Sequence, residues 1–100
     1  MTTLPPLELF VRDETVTIPL PIAPPVVRGS VTACLARSKT GLAIMPALER
    51  TLVWPRDGAV PPLTLFARDL KAALPRGGAV HVVVRYGGQV IASGDVRVVG

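Results

Sequence analysis

Ala79-Val80-His81-Val82-Val83-Val84-Arg85-Tyr86-Gly87-Gly88-Gln89-Val90-Ile91-Ala92-Ser93-Gly94-Asp95-Val96-Arg97-Val98 is the stretch that decides the fold. Two β-branched runs flank a Gly-Gly pair, and two glycines accept the positive φ angles that a tight type I′ or II′ hairpin demands. With a two-residue loop, Tyr86 faces Gln89, Val84 faces Ile91 and Val82 faces Ser93, so Val82, Val84 and Ile91 share one side of the ribbon. One side of that ribbon is apolar and needs a partner layer.

Working back from the hairpin, Ala67-Arg68-Asp69-Leu70-Lys71-Ala72-Ala73-Leu74 sets Leu70 and Leu74 four apart among good helix formers, and Pro75 and Gly77 stop it. Two turns are too few to stand alone, so the helix over residues 67–74 caps an open end of a sheet. Before it, Leu63-Thr64-Leu65-Phe66 alternates as a strand, delivered by the turn Pro55-Arg56-Asp57-Gly58. Residues 48–54 form a strand, although Pro46 interrupts the approach to it. Residues 30–37 form another, with Val31, Ala33 and Leu35 on one face and Ser38-Lys39-Thr40-Gly41 as its closing turn. Nearer the start, Leu7-Glu8-Leu9-Phe10-Val11 and Thr15-Val16-Thr17-Ile18-Pro19-Leu20 alternate on a two-residue period around a polar turn at Arg12-Asp13-Glu14. Prolines 19, 21, 24 and 25 remove ladder donors and place that segment at a sheet edge leading into a stiff connection. Short strands, turns every ten or so residues and no βαβ rhythm predict an all-β, immunoglobulin-like antiparallel β-sandwich with one short helix. The 100 residues hold one such domain, with residues 1–6 as a possible extended N-terminal arm.

Composition narrows the function classes. Hydrophobic residues make up 49% of the chain and 11 residues are proline, while only 4% are aromatic. A small domain with that apolar share either has a valine-rich core or hides part of its surface against neighbouring subunits. The longest uncharged stretch, residues 15–27, is shorter than the ~20 residues of a membrane-spanning helix and carries four prolines. Residues 1–6 lack the basic and apolar regions of a secretory signal, which points to synthesis in the cytoplasm. Cys34, the single cysteine, has no partner for an internal disulfide and sits in an apolar run as a small hydrophobe. The net charge is +4, but the basic residues come singly or beside acids such as Asp13, Asp57 and Asp69. No basic run or aromatic platform supports nucleic-acid binding.

The catalytic inventory is thin. His81 is the only histidine, so a zinc site would have to draw on scattered carboxylates. Paired as base and nucleophile, His81 and Cys34 would still need an orienting group and an oxyanion pocket. Gly77-Gly78 and Gly87-Gly88 are turn glycines, since neither pair joins a strand to a helix N-terminus in a phosphate-loop pattern. The expectation is therefore no enzyme, no cofactor, no metal and no small-molecule substrate. Candidate interface residues are Leu4, Pro5 and Pro6 of the arm, Pro21, Pro24 and Pro25 of the proline-rich segment, and the aromatics Trp54 and Tyr86.

Gly29 before the strand from Val31, the Thr40-Gly41 turn, Asp57-Gly58 ahead of Leu63-Thr64-Leu65, the helix ending in Leu74-Pro75-Arg76-Gly77, and the final Ser93-Gly94-Asp95-Val96-Arg97-Val98 occur in a telling order. In that order the chain resembles the small immunoglobulin-like domain at the N-terminus of phage baseplate upper proteins and related phage tail and neck modules. The pattern's aromatic after glycine is missing in Gly78-Ala79-Val80. The resemblance implies a non-catalytic structural component of a phage or phage-like particle: baseplate, tail, neck or capsid decoration. Its partners would be other virion proteins or copies of itself, and its location the virion. The alternative is a soluble cytoplasmic binding, adaptor or inhibitor module that presents an edge strand or a loop end.

Overall fold

A computed structural model describes residues 2–22, 30–53 and 60–99. Trp54, Pro24 and Pro25, together with Gly29 and the 55–58 turn, lie outside these residues. The strands in chain order are β1 (Thr2–Thr3), β2 (Leu7–Phe10), β3 (Thr15–Ile18), β4 (Ser30–Ala36), β5 (Glu49–Val53), β6 (Leu63–Phe66), β7 (Gly78–Tyr86) and β8 (Gln89–Val99). The helix α1 (Ala67–Ala73) follows β6 directly.

Two layers result. The larger sheet runs β1-β8-β7-β4-β5, with β2 also on the outer edge of β8; the smaller one is β3 with β6. Val16 and Ile18 of β3 and Leu63 and Leu65 of β6 are buried against Val31, Ala33 and Leu35 of β4 and Val80, Val82 and Val84 of β7. The alternation of each strand explains this, since every second residue turns to the same side. The result is an all-β sandwich in which β3 and β6 form one layer, facing β4, β7 and β8 of the other. The helix buries Ala67 and Leu70 and closes one end, where a 3-10 turn at Pro46–Leu48 sends Leu48 into the core. The helix ends after Ala73 with Leu74 as its C-cap, followed by Pro75 and the positive φ of Gly77 (70°).

Three expectations change. The sheets are mixed, because β1 and β2 pair with β8 in parallel, Thr3 opposite Ser93 and Leu7 opposite Val96. The 11–14 segment carries the chain to the other layer, so β2 meets β8 from outside and runs in the same direction. The hairpin register slips by one residue: Tyr86 faces Gln89 as expected, but Val84 pairs with Ala92 and Val82 with Gly94. A bulge inserts Ile91 opposite the Val84/Arg85 step, which periodicity does not reveal. Finally, the stretch read as a possible extended arm, residues 1–6, holds a two-residue strand, Thr2–Thr3, of the chain's own sheet. Leu4 is buried in the core, and its N–H donates to the Ser93 carbonyl at 2.7 Å. Pro5 and Pro6, which have no N–H to donate, occupy the break between β1 and β2 and stay exposed.

Candidate interaction surface

Inward residues of a half-buried strand fix which residues face out. With Leu9 buried, Phe10 of β2 points outward beside its register partner Val99, and the two are 46% and 40% exposed. With Leu63 and Leu65 buried, Phe66 ends β6 outward at 45% exposed. Guanidinium groups lie over both rings: Arg12 is 5.0 Å from the Phe10 centroid, Arg68 5.0 Å and Arg50 6.0 Å from that of Phe66. Phe66 borders an open cleft of about 710 Å³ between the β2–β3 turn and α1, lined also by Arg12, Asp13, Glu14, Arg68 and Lys71. The Ala67 N–H donates to the Glu14 carbonyl at 2.8 Å, which fixes the two walls relative to each other.

An arginine stacked on an exposed ring loses less freedom when it is covered, and the pair offers an apolar plane with charge at its rim. Aromatics with arginine are the composition of protein–protein contact centres. The cleft carries both signs of charge, unlike the single-sign track that a phosphate backbone selects.

The sequence-derived interface residues fall elsewhere. Leu4, Pro5, Pro6 and Pro21 come together around an apolar crevice of about 130 Å³, completed by Leu7, Ile18, Pro19, Val82 and Val96. Leu4 serves the chain's own core, while Pro5, Pro6 and Pro21 remain at the surface. Tyr86 is half-buried at the hairpin end, packed against the main core. Sequence reasoning passed over Phe10 and Phe66. The signal was present in the alternation that assigns Leu7 and Leu9, or Leu63 and Leu65, to the core and so turns the next phenylalanine out.

The outer face of the large sheet holds the remaining chemistry. His81 Nδ1 is 3.0 Å from Asp95 Oδ1 across the β7–β8 pair, yet the two are not aligned as a hydrogen bond. Cys34 is registered against Val83, and its Sγ lies 3.9 Å from the Arg85 guanidinium. Burial pushes the thiol's pKa up; Arg85 works against the shift and Glu49 adds to it. Arg85 also donates to the carbonyls of Thr40 and Gly41 at 2.8 and 2.7 Å, pinning the turn after β4. Among the described residues no three His, Cys, Asp or Glu side chains gather as metal ligands, and no helix is long and apolar enough to cross a membrane.

Comparison with protein-family models, curated proteins and solved structures finds no match to this chain. Its own geometry is what bears on function.

Proposed function

We propose that the chain is a non-catalytic structural component of a phage or phage-like particle that works through subunit–subunit contacts. The observation that carries this reading is the aromatic and arginine end of the sandwich, where Phe10 and Phe66 are exposed under guanidinium groups and Val99 is exposed beside Phe10. Three such hydrophobic side chains left half in water cost solvation that a neighbouring subunit would recover, at roughly 25 cal/mol per Å² of apolar surface covered. The order of sequence motifs described above supplies the particle context, and cleft and crevice would be contact surfaces on neighbours. The test is quantitative mass spectrometry of sedimented native particles. Near-equal abundance with the major shell protein means a decoration or tube subunit, a few copies mean neck or baseplate, and absence from particles defeats the reading.

A second reading, a soluble adaptor or inhibitor, rests on β5. It ends the strand order of the large sheet, and Val53 at its end is 70% exposed. A partner strand could add to such an edge. Sedimentation velocity separates the two readings: concentration-dependent multimers favour the particle subunit, a monomer at all concentrations the adaptor.

A further inference from the structure

The segment from Thr2 to Val11 is bound to the domain in an uneven way. Its ladder is wholly with β8, from Thr2 opposite Ala92 to Phe10 opposite Val99, and Val11 donates a last N–H to the Val99 carbonyl at 3.2 Å. That ladder is broken at Pro5 and Pro6, where four steps along this segment match three along β8. The break opens onto the 130 Å³ apolar crevice, whose prolines Pro5, Pro6, Pro19 and Pro21 are exposed. Against that break stands one close fit: Leu4 lies on Gly94, its Cβ 2.7 Å from where a side chain at 94 would begin. The joint to the rest of the chain, Arg12, Asp13 and Glu14, is exposed.

Without this segment β8, the longest strand among the described residues, would present an open edge, which sheets do not leave bare. An interrupted ladder, an edge that must be filled and a short exposed joint together permit exchange between identical molecules. We infer that residues 2–11 exchange reciprocally between two copies of this chain, each supplying β1 and β2 to the β8 of the other. A second copy is the occupant because only the same segment brings a backbone to Gly94 in this register with Leu4 filling the core. A joint of three residues spans about 10 Å when extended, at about 3.3 Å per residue, enough to carry the strand outward instead of back. The inference rests on the particle-subunit reading and names how its copies join.

Glu8 and Arg97 are register partners exposed on the outer face, at the spacing of adjacent strands, about 4.8 Å, within the range a disulfide bridges. In a Cys34→Ala background, Glu8→Cys with Arg97→Cys would be purified at rising concentration, oxidised, and run without reductant. Exchange predicts a covalent dimer whose share grows with concentration and whose peptide map links positions 8 and 97. A purely intramolecular 8–97 link at every concentration overturns the exchange and leaves particle abundance, the test of the wider reading, unaffected. Dimers formed equally by either single-cysteine variant would be surface contacts and would also overturn it. Thr3→Cys with Ser93→Cys, a register pair of the β1–β8 ladder, repeats the test should the first pair perturb folding.

Discussion

Leu4 occupies the space that a side chain at position 94 would need. A Cβ built on Gly94 meets the Leu4 Cβ at 2.7 Å and the Leu4 carbonyl oxygen at 3.2 Å, closer than packed atoms approach. Gly94 is therefore glycine for want of room, not for an unusual backbone angle. Gly94→Ala is expected to push the first strand off β8 and cost about 1–3 kcal/mol, the range for overpacking a filled site. Urea denaturation checks this, and Leu4→Gly combined with Gly94→Ala should lose less than the sum of the single losses, because one partner of the collision is gone.

Leu4 itself should matter as a core residue. Leu4→Ala is expected to cost about 2–3 kcal/mol, toward the lower end for buried leucines because the crevice beside it already leaves space. Pro5→Ala, at an exposed position, should change the denaturation midpoint little.

Arg85 ties strand β7 to the turn after β4 through two carbonyls. Arg85→Met should lower stability by about 1–2 kcal/mol, given what hydrogen bonds from a charged group contribute and the partial exposure of these. Hydrogen exchange would place the loss: the Gly41 amide, bonded to the Ser38 carbonyl, should exchange faster, while the amides of β7 and β8 keep their relative protection.

The Cys34 thiol should be inert in the folded protein and react with a disulfide reagent at once on denaturation, since it is buried and its pKa is raised. A raised folded pKa means that the unfolded chain loses this proton first. Its contribution to stability is thus complete below the unfolded thiol pKa and is lost as pH rises through the folded one. Between pH 8 and pH 10 the wild type should lose more stability than Cys34→Ala. Glu49→Gln should lower the folded thiol's pKa, because the carboxylate raises it.

Phe10→Ser and Phe66→Ser separate folding from contact. Both rings are half in water, so each change should shift stability by about 1 kcal/mol or less. Incorporation into particles, read by mass spectrometry, should fall at least tenfold if these rings sit at a subunit contact. Unchanged incorporation would remove this end of the sandwich from the assembly.

What could be read from the residues was what lies close along the chain. The Gly87-Gly88 turn, with both φ angles positive, and the helix stop at Pro75 depend on neighbours a few positions away, and both were legible. The same holds for the inward face of β4, where Val31, Ala33 and Leu35 are buried as the alternation required. Ile91 was not legible as a bulge, because an extra apolar residue in an apolar strand leaves no trace in the pattern. The place of Leu4 depends on a glycine far along the chain, and nothing local links the two. Phe10 and Phe66 were legible as outward residues from the alternation that buries Leu9, Leu63 and Leu65.

The pairing of Thr2 with Ala92 has a consequence for the time order of folding. Hairpins such as β7–β8 close in microseconds, but a ladder between strands so far apart in the chain must wait until both exist. At about 5–20 residues per second on a ribosome, residues 2–10 emerge roughly 4–18 s before their partner strand is complete. During that interval the earlier-made strand has no mate, and β8 completes the pair only when it appears. If the strands exchange as inferred above, the crowding of ribosomes on one message, and not only the sequence they read, would bear on which molecule each strand ends in.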